Sequence, residues 1–148
     1  MQYACTPIIL DRNICRDFER ASHLEWLDTN NTGAYAMGTV AGVNTRRYYG
    51  LLVASLQQPV QRCVVLSKLD EQVTLNDQSY ELATNQFPGV VNPRGFELLD
   101  LFRLDPFPGW IWQLGPHSLV KEVFLVEGKQ AVVTQYSCTA PCALRAIP

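Results

Sequence analysis

Short apolar runs alternate with polar turn residues along the chain, and the repeat of the apolar positions is two far more often than 3.6. Arg62-Cys63-Val64-Val65-Leu66-Ser67 opens an extended run that continues to Val73-Thr74-Leu75, turns at Asn76-Asp77 and returns as Ser79-Tyr80-Glu81-Leu82. Asn-Asp between alternating apolar residues is a hairpin signal. A second hairpin is predicted over residues 119–126 and 131–136, with its turn at Glu127-Gly128-Lys129, where Gly128 supplies positive φ at little steric cost. Shorter strands are predicted over 96–103, 110–114 and 143–147. Prolines at 88, 93, 106, 108, 116 and 141 punctuate them and would break long helices. Residues 12–21 suit one short helix, with Asp11 as its cap, although the apolar face is thin. Strands arriving about every ten residues, with turn signals between them, predict an all-β fold: an antiparallel sheet or β-sandwich with at most one short helix near the N-terminus.

A chain of 148 residues is expected to form a single domain spanning 1–148. At 47% hydrophobic and 18% charged it has the composition of a folded globular protein. Net charge is −2, and Arg46-Arg47 is the only basic pair, which argues against a nucleic-acid partner. The first residues lack a basic segment and hold only a very short apolar run, so they do not read as a signal peptide. No apolar run approaches the roughly 20 residues that span a bilayer. A cytoplasmic protein without a membrane partner is expected. The five cysteines (Cys5, Cys15, Cys63, Cys138, Cys142) are irregularly spaced, and reduced thiols follow. Cys138 and Cys142 lack the second Cys pair or His cluster that would complete a zinc set, so no metal is expected. The chain stops straight after the strand-like residues 143–147, as a piece cut from something longer would.

Candidate chemistry is sparse. Asp70 and Glu71 are neighbours, and neighbours on a strand point to opposite faces. They cannot flank one glycosidic bond, which takes two carboxyls about 5 to 9.5 Å apart; a solvated strand face is the expectation. His23 and His117 are the only histidines, and neither accompanies a nucleophile elbow. No phosphate-cradling glycine motif occurs. Trp110 and Trp112 share one strand face, as sandwich core or as a platform for sugar rings, and core is favoured. Asn44-Thr45-Arg46-Arg47-Tyr48-Tyr49-Gly50 interrupts an otherwise apolar stretch. If it is extended, Thr45, Arg47 and Tyr49 share one side, and Asn44, Arg46 and Tyr48 the other. An arginine held by a carboxylate would suit either a structural ion pair or a hydroxyl-rich ligand.

These residues carry a resemblance. Glu25-Trp26-Leu27, Thr29-Asn30, Gly33, Tyr35-Ala36, Gly38-Thr39-Val40, Gly42, Asn44-Thr45-Arg46-Arg47-Tyr48 and Gly50-Leu51-Leu52-Val53-Ala54 together closely resemble the N-terminal domain of bacterial and archaeal glycogen debranching enzymes of the amylo-α-1,6-glucosidase type. The likeness continues through Leu66-Ser67-Lys68-Leu69, Tyr80-Glu81-Leu82-Ala83-Thr84-Asn85, Phe87-Pro88-Gly89 and Pro93-Arg94-Gly95-Phe96, covering nearly the whole chain from Leu24. Two positions depart from the family. Tyr49 stands where a histidine is usual in RRYHGLL, and Ala34 where a glycine is usual.

The resemblance implies a supersandwich-like β domain, incomplete in this chain, preceding a C-terminal (α/α)6 barrel. That barrel would carry the acid and base carboxylates that hydrolyse α-1,6 branch linkages of glycogen-type glucans. This chain alone is then expected to be inactive, with no catalytic residues and no cofactor. Its candidates for contact with glucan or with the barrel are Asn44, Arg46, Arg47, Tyr48, Tyr49, Trp110 and Trp112. The expected partners are the barrel and an α-glucan. Competing expectations are a stand-alone carbohydrate-binding module and a structural sandwich that dimerises through exposed edge strands.

Overall fold

The structure is a computed structural model, and it describes residues 6–57 and 61–148. In chain order it runs β1 (Ile9–Asp11), α1 (Arg12–Cys15), α2 (Phe18–His23), β2 (Glu25–Thr29), β3 (Tyr35–Thr39), β4 (Gly50–Gln57), β5 (Gln61–Leu66), β6 (Asp70–Leu75) and β7 (Gln78–Glu81). It continues with β8 (Thr84–Phe87), β9 (Val90–Arg94), a 3-10 turn (Gly95–Leu98), β10 (Leu99–Arg103), β11 (Gly109–Leu114), β12 (His117–Leu125), β13 (Val132–Cys138) and β14 (Ala143–Ile147). All strand pairs are antiparallel. A five-stranded sheet, β1-β10-β11-β12-β13, lies opposite a four-stranded sheet, β2-β3-β4-β5, and a three-stranded sheet, β14-β6-β7. Strands β8 and β9 form a small separate pair. This is the all-β, sandwich-like architecture that the strand spacing predicts.

The core follows from period-two patterning. On β12, Leu119, Lys121, Val123 and Leu125 are buried, and their neighbours on β11 are Trp110, Trp112 and Leu114. Trp110 meets Trp26 of the facing sheet edge-on at 5.3 Å and Phe102 of β10 at 5.1 Å. Edge-to-face pairs at this spacing suit the quadrupoles of the rings, and they lock the two layers together.

Both predicted hairpins form. Asn76 and Asp77 have φ of 50° and 61°, the two positive values that a tight β6–β7 turn needs. Gly128, at φ 68°, turns β12 into β13.

Three elements differ from the expectation. The extended run over 62–75 changes sheets, with β5 in the four-stranded sheet and β6 in the three-stranded one. Lys68 pins the crossing by bonding the carbonyl of Thr84 at 2.9 Å, Asn85 Oδ1 at 2.6 Å and Asp70 Oδ1 at 2.8 Å. The single helix is two, because the region contains two N-caps. Asp11 accepts from the amides of Asn13 and Ile14, and Asp17 accepts from that of Arg20, so the chain restarts at Asp17. The strand expected from Phe96 begins only at Leu99, because Gly95 initiates a 3-10 turn against β7 and β8. A Cβ on Gly95 would lie 1.9 Å from the Leu82 carbonyl oxygen, and its amide donates to Ala83 at 2.8 Å.

Cys15, Cys63, Cys138 and Cys142 are free thiols. Cys5 lies outside the described residues.

Candidate functional site

The segment that interrupts the apolar pattern, residues 44–50, lies in the connection from β3 to β4 as a turn and not as a strand, with Gly50 opening β4. The amide of Tyr49 donates to the Arg46 carbonyl at 3.3 Å, closing the turn through Arg47 and Tyr48. The two-face alternation considered for an extended run therefore does not apply, and Arg46 and Arg47 are both exposed.

Everything behind the turn is tied down. Thr39 Oγ1 donates to the Val43 carbonyl at 2.7 Å, and Asn44 Nδ2 donates to Ser67 Oγ at 3.0 Å. The Tyr35 hydroxyl donates to the Tyr48 carbonyl at 3.1 Å. Tyr49 is only 3% exposed, and its hydroxyl donates to the Glu25 carboxylate. Burial, and then that bond, push its ionisation above the ordinary tyrosine range. Glu25 Oε1 also pairs with Arg46 Nε at 2.8 Å. The tyrosine that stands where the family usually has histidine is thus a buried peg rather than a surface contact.

What the turn presents is Arg46, Arg47 and Tyr48. Tyr48 is 56% exposed, and the Arg47 guanidinium sits over its ring at 5.5 Å. Next to them opens a groove of about 510 Å³ whose lining includes Glu19, His23, Glu25, Thr45, Arg46 and Gln86. Beside the turn, the outer face of β2 and β3 shows Leu27, Tyr35 and Met37, with Leu27 54% exposed. The alternate residues Trp26, Ala36 and Gly38 point to the core. Arg62 of β5 covers the Tyr35 ring at 5.7 Å.

Of two sequence-based readings, the structure agrees with the favoured half of one and corrects the other. Trp110 and Trp112 share one strand face as expected, but both are buried in the core, so neither offers a platform to a sugar ring. The Trp110 indole instead donates to the Val40 carbonyl at 2.9 Å. Glu71, expected on a solvated face, is 3% exposed. Its Oε1 lies 2.5 Å from Lys121 Nζ and accepts from the Tyr136 hydroxyl at 2.7 Å. Burial, with the Glu71 charge second, raises the ionisation of Tyr136 far above its ordinary range. The available signal was Lys121, a charge at the buried phase of β12, which obliges the facing sheet to supply a partner. Asp70 does point the other way, toward Lys68 and Asn85.

Fold and site together define an all-β sandwich-like domain that displays a pinned polar and aromatic turn. A family model described as glycogen debranching enzyme N terminal matches residues 24–148, and the chain belongs to that family. No curated protein and no solved structure matches the chain.

Proposed function

We propose that this chain is the non-catalytic β domain of a glycogen debranching enzyme. It holds the helical catalytic domain through the 44–49 turn and the apolar sheet face beside it. The observation that carries this reading is the division of labour within the turn. Tyr49, Asn44 and Glu25 are committed to holding its shape, while Arg46, Arg47 and Tyr48 are left outward. A preassembled surface of arginine and tyrosine next to exposed Leu27 is the composition of an interface anchor, and ordering it in advance lowers the cost of docking.

The carboxylates support placing acid/base work elsewhere. Glu71 is consumed by Lys121 and Tyr136 inside the core, and Glu25 is tied to Arg46 and Tyr49. A second reading, direct contact with an α-glucan, is favoured by one feature: the Tyr48 ring with Arg47 stacked on it, exposed beside the polar groove.

Electrophoresis of the purified chain in gels with and without glycogen separates the two. The docking reading expects no retardation and no release of sugar from branched glucan. Retardation that Arg47→Ala and Tyr48→Ala abolish, in variants folded by circular dichroism, would establish glucan contact. Hydrolysis of α-1,6 branches by the chain alone would overturn the non-catalytic assignment.

A further inference from the structure

A second cavity, of about 50 Å³, is lined by the exposed residues Asn44 and Ser67 and by the buried residues Glu71, Trp112 and Lys121. The two exposed residues are bonded to each other at 3.0 Å. Trp112 is 5% exposed, and its Nε1 is fully buried with no hydrogen-bond partner among the described residues. The contrast with Trp110, whose indole is satisfied by Val40, is informative. Buried donors in folded proteins nearly always find an acceptor, and an orphan at a cavity wall points to an acceptor held inside the cavity.

From this arrangement we infer a hydroxyl-binding site in the sandwich core. Trp112 Nε1–H donates to an oxygen held in the cavity, and that oxygen's own O–H donates to the Glu71 carboxylate. Lys121, already bonded to Glu71, has further N–H donors for the same oxygen. The size fits. One water needs about 10–15 Å³, so the space takes water or a hydroxymethyl group but excludes a whole hexose ring. The rest of the wall includes the apolar surfaces of Trp26, Leu51 and Trp110, and its other polar side chains, Thr39, Lys68 and Thr84, are bonded to Val43, the Thr84 carbonyl and Phe96, so Trp112, Glu71 and Lys121 fix where the oxygen sits. Its source is either bulk water or a primary hydroxyl of a glucan reaching in past Asn44.

The experiment is NMR on the 15N-labelled chain, reading the Trp112 indole N–H, which is assigned by its loss in Trp112→Phe. The site predicts a cross-peak between this N–H and a long-lived water. If the cross-peak persists on adding maltoheptaose, water is the ligand. If it disappears while the indole resonance shifts, the sugar hydroxyl is the ligand. Absence of the cross-peak together with no shift on adding sugar overturns the site. Should Trp112→Phe not fold, a crystal structure of the unmodified chain decides. An oxygen within about 3.2 Å of Nε1 supports the site, and a dry cavity overturns it.

Discussion

Lys121→Met removes the ammonium from the Glu71–Lys121–Tyr136 centre while keeping most of the buried side-chain volume. Lys121 and Glu71 are 7% and 3% exposed, so bulk water does not solvate the stranded carboxylate, and the single oxygen of the adjoining cavity replaces only part of what the ammonium supplies. Deleting one member of a buried ion pair typically costs about 3–5 kcal/mol, because the other charge is stranded. Glu71 keeps the Tyr136 hydroxyl as a donor, which places the expected loss near the lower end, about 3 kcal/mol. For a domain of this size, where 1 kcal/mol moves the midpoint by about 2–4 °C, Tm should fall by roughly 10 °C. The triple variant Glu71→Leu/Lys121→Met/Tyr136→Phe removes every polar group of the centre at once and should recover to near wild-type stability. Urea and thermal unfolding followed by circular dichroism read both effects. A loss below about 1 kcal/mol in Lys121→Met, or a triple variant no more stable than the single, would refute a buried charge pair.

Gly95→Ala should abolish soluble expression or cost at least about 3 kcal/mol, since its Cβ meets the backbone of Leu82 and no side chain can swing away; unfolding of any soluble fraction measures it. Tyr136 and Tyr49 both ionise above their ordinary range in the folded chain, whereas unfolded tyrosines lose protons near pH 10. Their contribution to stability is therefore intact below about pH 10 and lost as pH climbs above it, so the urea midpoint should drop from pH 9 to about pH 11, and less steeply in Tyr136→Phe. Burial pushes the Cys15 thiol up to about 11, so a thiol reagent at neutral pH should modify exposed Cys63 and leave Cys15 intact until the chain unfolds; peptide mass mapping distinguishes the two.

The parts of the fold that local chemistry decides were legible in the sequence. Asn76-Asp77 and Gly128 announced their hairpins, because positive φ is a property of the residues themselves. The alternation on β11 and β12 announced a buried face. What long-range packing decides was not legible. Nothing within 62–75 signals a change of sheet, because Lys68 finds its anchors at Thr84 and Asn85. Glu71 looked solvated beside Asp70, because its partners lie on β12 and β13. In the candidate site, the polar composition of 44–50 was visible at once. The sorting of its residues into pegs and presenters was not, since Tyr48 and Tyr49 are chemically alike and differ only in what the fold puts behind them.

The most direct test of the account is a calorimetric titration of the helical domain of a debranching enzyme that carries this β domain into the wild-type chain and into Arg47→Ala/Tyr48→Ala. Saturable binding to the wild type is expected, with binding weaker by about tenfold or more, roughly 1.4 kcal/mol, in the folded double variant. Equal affinity for both would contradict the assignment of the 44–49 turn to the interface, and no binding to the wild-type chain would contradict the docking role itself.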